Sequence, residues 1–274
     1  MSNRARLIPI LAVILIAAFT YFNSEKFTNP ETGKTARVAL SEDQEAKLGL
    51  QSYQQVIAQA QGQLQNSGPE YDRVVRIARR LAQSTGDAGK KFQWAVSVLR
   101  SNQVNAFCLP GGKIVVYTGI LPVAENDAQL ATVMGHEMAH ATSRHGSQRL
   151  LQTKLTNTVI TGAQVSMAGM DYQQQQAVMG AIGAGAQYGV LLPFSRDHEV
   201  EADYIGLMYM ARAGYDPHEA IKFWQHMSKA SGAGQKPPEF ASTHPSDQTR
   251  IQRLTDAMPK ALEEYNKSTF RGQP

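Results

Sequence analysis

A single cysteine, Cys108, in 274 residues leaves no internal disulfide and no metal site built from several thiolates. It sits in the apolar stretch Asn105-Ala106-Phe107-Cys108-Leu109, where a packed residue fits better than a nucleophile. The chain also lacks any long Lys/Arg run. Its formal net charge of +4 is scattered, so the electrostatic footprint of a nucleic-acid binder is missing and no nucleic-acid partner is expected. No internal repeat is present, which excludes a solenoid. Nor is this the composition of a disordered chain: hydrophobic residues make up 42% and charged residues 18%, enough apolar surface for a folded core.

Long apolar runs are scarce, with one exception. Arg4 and Arg6 precede an apolar run from Leu7 to about Phe22, broken only by Pro9, Thr20 and Tyr21. As a helix it spans about 24 Å, a little short of a bilayer core of about 30 Å. Residues 1–22 are therefore expected to be a signal peptide or a single-span membrane anchor. Ala17-Ala18-Phe19-Thr20 offers no clean small-residue cleavage pattern, which favours the anchor. Either way the arginines stay inside and the rest of the chain is delivered across the membrane.

Residues 23–40 are polar and read as a linker. Ser41-Glu42-Asp43-Gln44 is a capping box opening a helix to about Leu64. After the breaker Asn66-Ser67-Gly68-Pro69, Val74, Ile77, Ala78 and Leu81 predict a second amphipathic helix, with Arg73, Arg76, Arg79 and Arg80 as a solvated face. Phe92 to Leu99 and Lys113 to Tyr117 read as strands, and Pro110-Gly111-Gly112 as a turn. Asn126 or Asp127 caps a helix running through His140 to about His145. Residues 150–190 read as one or two apolar helices, interrupted at Pro193. Further helices are expected from Ser195 to Ala213, after Asp216-Pro217-His218-Glu219, and from Pro245 to about Tyr265. Residues 41–268 make one domain in this reading, and 269–274 a flexible tail.

The chemistry concentrates in His136-Glu137-Met138-Ala139-His140. On a helix, residues four apart share a face, so two imidazoles aim at one point and can fix a zinc ion. Glu137 is offset by about 100° and flanks the metal, where it can take a proton from a zinc-bound water. Val133, Met134, Met138 and Ala139 surround these polar groups, and an apolar helix needs something polar to satisfy them. Gly135 sits mid-helix at a cost of about 1 kcal/mol relative to alanine. Two histidines leave one protein ligand to be found. The best source is Ser195-Arg196-Asp197-His198-Glu199-Val200-Glu201-Ala202-Asp203. Glu199 and Asp203 share a face there and Glu201 points elsewhere. A carboxylate from this second helix would complete a His-His-Glu site, and Asp203 could hold a ligand histidine by its free ring nitrogen.

Four segments in order carry a family resemblance: Asn105 to Gly112, Gly135 to His140, Ser195 to Glu199 followed by Ala202-Asp203, and Thr243-His244-Pro245-Ser246 leading to Arg250. Together they resemble the membrane-linked gluzincin zinc metalloproteases, HtpX-like and BepA-like, related to the CAAX prenyl endopeptidases. The resemblance implies an α+β, mainly helical zincin domain with a small β-sheet beside the active-site cleft. It implies one zinc held by His136, His140 and Glu199, with Glu137 as general base and Asp203 behind the ligands. It implies that the strand Lys113 to Tyr117 pairs with an extended substrate. It also implies that His244 approaches the zinc, as a self-blocking ligand or a transition-state donor, and that Arg250 stabilises the oxyanion. His145, His198, His218 and His226 are left as structural or exposed.

One span at most departs from the multi-span members, so prenyl-protein processing is not the expected activity. Residues 158–190 fit a lid or a membrane-surface segment instead. The expectation is a periplasmic single-domain endopeptidase on the outer side of the inner membrane, anchored or released. Its substrates would be unfolded or misassembled proteins of the cell envelope, with the envelope assembly machinery as a partner. The competing reading is a chaperone or adaptor with a latent, self-blocked zinc site.

Overall fold

A computed structural model of the protein describes residues 3–166, 173, 194–231, 240, 244 and 249–273. The chain divides into two units, Met1–Thr28, Thr35–Ser41 and Gly146–Leu192 in one, and Asn29–Lys34, Glu42–His145 and Pro193–Pro274 in the other.

The smaller unit contains helix α1 (Asn3–Asn23), an antiparallel hairpin of β1 (Glu25–Thr28) and β2 (Thr35–Val38), and all but the first residue of α5 (His145–Ser166). The stretch read as a polar linker is thus a paired hairpin. Arg37 locks it to the end of α1, donating to the carbonyls of Phe22 and Ser24 at 2.7 Å each. Ser147 Oγ accepts the amides of Ala39 and Leu40 at 3.2 Å. Among the described residues no helix is long and apolar enough to cross a membrane. Even so, α1 leaves Ile14, Leu15, Ile16, Phe19 and Phe22 largely exposed. The segment 158–190 lies mostly outside the described residues.

The larger unit is helical around a small mixed sheet. Its elements are α2 (Glu42–Gln59), β3 (Leu64–Gln65), α3 (Pro69–Ser84), β4 (Ala95–Leu99), β5 (Ala106–Leu109), β6 (Lys113–Tyr117), α4 (Asp127–Thr142), α6 (Arg196–Arg212), α7 (His218–Ser231) and α8 (Arg250–Lys267). Pro245, expected to open the last helix, is outside the described residues. The sheet order is β3-β4-β6-β5, with β4 parallel and β5 antiparallel to β6. Lys113 to Tyr117 is therefore an interior strand, paired on both sides, and cannot take up an extended substrate. The edge strands among the described residues are β5 and the two-residue β3. The Asn105, Phe107 and Leu109 side of β5 bonds to β6, as in Tyr117 N–H to Asn105 O and Gly112 N–H to Leu109 O at 3.1 Å each. The main-chain groups of Ala106 and Cys108 then face away from β6, with the Ala106 amide donating to Asn105 Oδ1 at 2.9 Å and the Cys108 amide to Glu137.

The core gathers the apolar face of α3 (Val74, Ile77, Leu81), the sheet residues Val98, Ile114 and Val116, and apolar positions of α4, α6 and α7. Arg73 and Arg76 of α3 are not simply solvated: both pair with Asp127 at the start of α4, at 2.7 and 2.6 Å. Arg80 lies over the rings of Tyr215 and Phe270 and donates to Gln273 O at 3.2 Å. This cation holds down the C-terminal residues expected to form a loose tail.

The crossing of α4 and α6 decides where the polar groups go. A Cβ on Gly206 would lie 2.8 Å from His136 N, and one on Gly135 would lie 3.0 Å from Gly206 O. Glycine at both positions lets the two backbones nearly touch, which repays the helix cost of Gly135. Asn126 caps α4, its side chain accepting from Gln129 N–H at 2.9 Å. The helix stops at Thr142 rather than His145 because Arg144 takes a left-handed conformation, φ 55°. That turn swings His145 back beside His140.

Candidate metal centre

His136 and His140 stand one turn apart on α4, buried on every side. Their Nε2 atoms are 3.1 Å apart. Ser195 caps α6, its Oγ accepting from His198 N–H at 3.3 Å, and one turn of helix later Glu199 faces the same point. Glu199 Oε2 is 3.4 Å from His136 Nε2, and Oε1 is 3.4 Å from His140 Nε2. His244 closes the fourth side, with Nδ1 3.2 Å from His136 Nε2 and 3.1 Å from Glu199 Oε1. All four groups offer a ligand atom within 4.8 Å of the others.

These separations test whether a metal fits. Ligand atoms about 2.0–2.1 Å from a tetrahedral ion stand about 3.3 Å apart, the spacing seen here. Three imidazole nitrogens crowded on one carboxylate are poorly served by hydrogen bonds alone, since two facing ring nitrogens need a proton between them. A cation at their centre would satisfy all four lone pairs, so the donor set fits a metal.

Electrostatics follow from burial and neighbours. Burial alone would lower the His136 pKa, but Asp203 and Glu199 outweigh it and raise it to about 10. His140 goes the other way, pushed well below its ordinary value by burial and by the neighbouring imidazoles, although Glu199 opposes this. Glu199 is held far below the usual carboxylate range: burial would raise it, and the three histidines overcome that. Glu137 is raised by burial, partly offset by His244 and His136 and by a hydrogen bond from the backbone of Cys108. Burial also lifts the Cys108 thiol, so it is no thiolate nucleophile.

The groups behind the centre are as ordered as those in it. Asp203 Oδ1 approaches His136 Nδ1 at 3.0 Å, close but poorly aligned for a hydrogen bond. Arg250 is fully buried and donates Nε to Asp203 and Nη2 to Glu199, both at 2.7 Å, with its guanidinium 3.8 Å above the Trp224 ring. Trp224 and Phe240 stack on each other, and Phe240 lies 4.8 Å from the His244 ring. Sequence reasoning set aside His145, yet its Nδ1 lies 2.9 Å from His140 Nδ1 and its Nε2 3.5 Å from Glu201 Oε2. The signal available was a histidine five residues beyond the motif. His198 stacks on His145 with ring centroids 4.3 Å apart. His218 and His226 pair with Asp216 and Glu125 away from the centre.

Residues 70–258 match the sequence model of peptidase family M48. The chain belongs to that family. Its buried group of His136, His140, Glu199 and His244 could hold a metal ion. Among curated relatives, this M48 chain is 35% identical over 223 residues to the mitochondrial metalloendopeptidase OMA1 of Schizosaccharomyces pombe, covering 81% of this chain and 63% of that protein. It is 36% identical to OMA1 of Saccharomyces cerevisiae over 65% of this chain and 50% of that protein. It is 29% identical to the β-barrel assembly-enhancing protease of Escherichia coli O157:H7, over 92% of this chain and 52% of that protein. The M48 chain thus spans between about half and two thirds of the length of these relatives.

Proposed function

We propose that this M48 chain is a zinc-dependent endopeptidase of unfolded or misassembled cell-envelope proteins, held in a self-blocked state by His244. The observation that carries the reading is the double contact of His244, with Nδ1 on Glu199 and Nε2 on Glu137. His136, His140 and Glu199 would hold the zinc, with His244 at the fourth position. When bound, zinc supplies Lewis-acid chemistry, polarising a carbonyl and lowering the pKa of water. Glu137 is the general base: once His244 withdraws, its carboxylate accepts the proton of the attacking water and passes it to the leaving amine. Its burial-raised pKa brings it closer to the working pH than an ordinary glutamate. Asp203 orients His136. Arg250 acts best as a positioning residue, since two of its donors face Glu199 and Asp203. The role of oxyanion donor is left only to its Nη1, which has no hydrogen-bond partner among the described residues. The outward carbonyls of Ala106 and Cys108 on β5 would take an extended substrate beside Glu137.

The setting rests on the basic, apolar N-terminus and the exposed apolar side of α1, which fit attachment at the periplasmic face of the inner membrane. The bacterial relative's name concerns β-barrel assembly, which favours envelope assembly machinery as a partner. A chaperone or adaptor with a latent site is the second reading, favoured by the same His244 contact. Cleavage of unfolded casein by the zinc-loaded chain, lost on chelation and in Glu137→Gln, tests the first. Absence of cleavage even in His244→Ala would favour the second.

A further inference from the structure

We infer that His145 and Glu201, backed by Asn29 and Thr32, are positioning residues for His140, forming a hydrogen-bonded line that sets this ligand's tautomer and donor strength. The inference rests on the reading of His140 as a metal ligand.

His136 has a carboxylate, Asp203, beside its remote ring nitrogen, whereas His140 meets another imidazole. A histidine that binds metal through Nε2 carries its proton on Nδ1. Nδ1 of His140 must then donate to Nδ1 of His145, 2.9 Å away. His145 accepts there only as the tautomer protonated on Nε2, and that nitrogen faces Glu201 Oε2 at 3.5 Å. Every donor has an acceptor in one direction only, and the line ends on a negative charge. A carboxylate at the end of such a line makes the ligand imidazole a better donor.

Glu201 is fixed in turn. Its Oε1 accepts from Asn29 Nδ2 at 2.9 Å and from Thr32 Oγ1 at 2.7 Å. The Asn29 amide is oriented by Glu31 N–H, which donates to its Oδ1 at 2.9 Å, and its Nδ2 also reaches Ser143 Oγ at 2.9 Å. Glu31 is held by Arg212 at 2.9 Å. Residues 199 and 201 lie about 200° apart around a helix, on nearly opposite faces. The turn Asn29–Lys34 and His145 link the far face to the metal centre, so α6 serves it from both sides.

The test uses the full chain. Zinc affinity is measured by chelator competition, the visible spectrum is recorded after Co2+ substitution, and melting of the metal-free protein is followed. Glu201→Gln is expected to weaken zinc binding by about 10–100-fold and to shift the cobalt bands. Thr32→Val should weaken binding about threefold. His145→Gln combined with Glu201→Gln should bind no more weakly than His145→Gln alone, because the groups act in series; a merely structural role would add the losses. Unchanged affinity in both Glu201→Gln and Thr32→Val, while His140→Ala loses zinc, overturns the inference and leaves the ligand reading intact. Wild-type affinity in His140→Ala overturns both. If Glu201→Gln does not fold, Thr32→Val decides.

Discussion

His244 touches two carboxylates at once: its Nδ1 lies 3.1 Å from Glu199 Oε1 and its Nε2 3.2 Å from Glu137 Oε1. One imidazole therefore fills the fourth side of the metal centre and crowds the Glu137 oxygen, though poorly aligned for a hydrogen bond to it. Replacing it should free both. His244→Ala is expected to raise kcat/KM on unfolded casein several-fold at equal zinc loading. A fall would assign His244 to transition-state support instead.

Glu137 is buried and faces the centre without belonging to the group of four donors. Glu137→Gln keeps the volume and removes the proposed base. kcat should fall by at least about 10²–10⁴-fold, while zinc content measured by atomic absorption stays at that of the wild type.

The backbone contact at Gly135 and Gly206 has no room for a methyl group. Gly206→Ala should force α4 and α6 apart at a cost of about 1–3 kcal/mol in chemical denaturation. Because His136 and Glu199 sit on either side of that crossing, zinc affinity should drop with it. Retained affinity at wild-type stability would show that the crossing does not set the site.

Arg250 is buried against Glu199, Asp203 and the Trp224 ring. Arg250→Met leaves two buried carboxylates without their cation. Breaking such a pair costs about 3–5 kcal/mol, to be read from urea unfolding of the metal-free protein.

Glu219 accepts from Asn126, the cap of α4, and from Gln129, at 2.8 and 3.0 Å. Burial opposes its ionisation, but Lys222, Asn126 and Gln129 outweigh it and lower its pKa from 4.5 to about 2. A depressed carboxylate stabilises the fold above its unfolded pKa and loses that contribution as pH falls through the folded one. The gap in melting temperature between wild type and Glu219→Gln should be widest near neutral pH. It should close between about pH 4.5 and about pH 2, in thermal melts across that range.

Much of this was legible without coordinates, for local reasons. Helical periodicity alone sets His136 and His140 on one face with Glu137 beside them, and places Glu199 and Asp203 together with Glu201 apart. The apolar spacing of α3 and the β-rich runs of β4 and β6 were equally local signals. Which strand keeps a free edge was not, because pairing order is a long-range property: β6 became interior once β5 folded back on it through the Pro110-Gly111-Gly112 turn. The polar stretch 23–40 gave no sign of its hairpin, and Asn29 reaches Glu201 across 172 positions of chain. Residue spacing by itself determined two histidines on one face, a glutamate beside them and a choice of carboxylates. Only the tertiary structure decided which carboxylate meets the histidines, through two glycines that let α4 and α6 touch, and which residues stand behind them, because polar groups sealed from water had to find partners wherever the chain brought them.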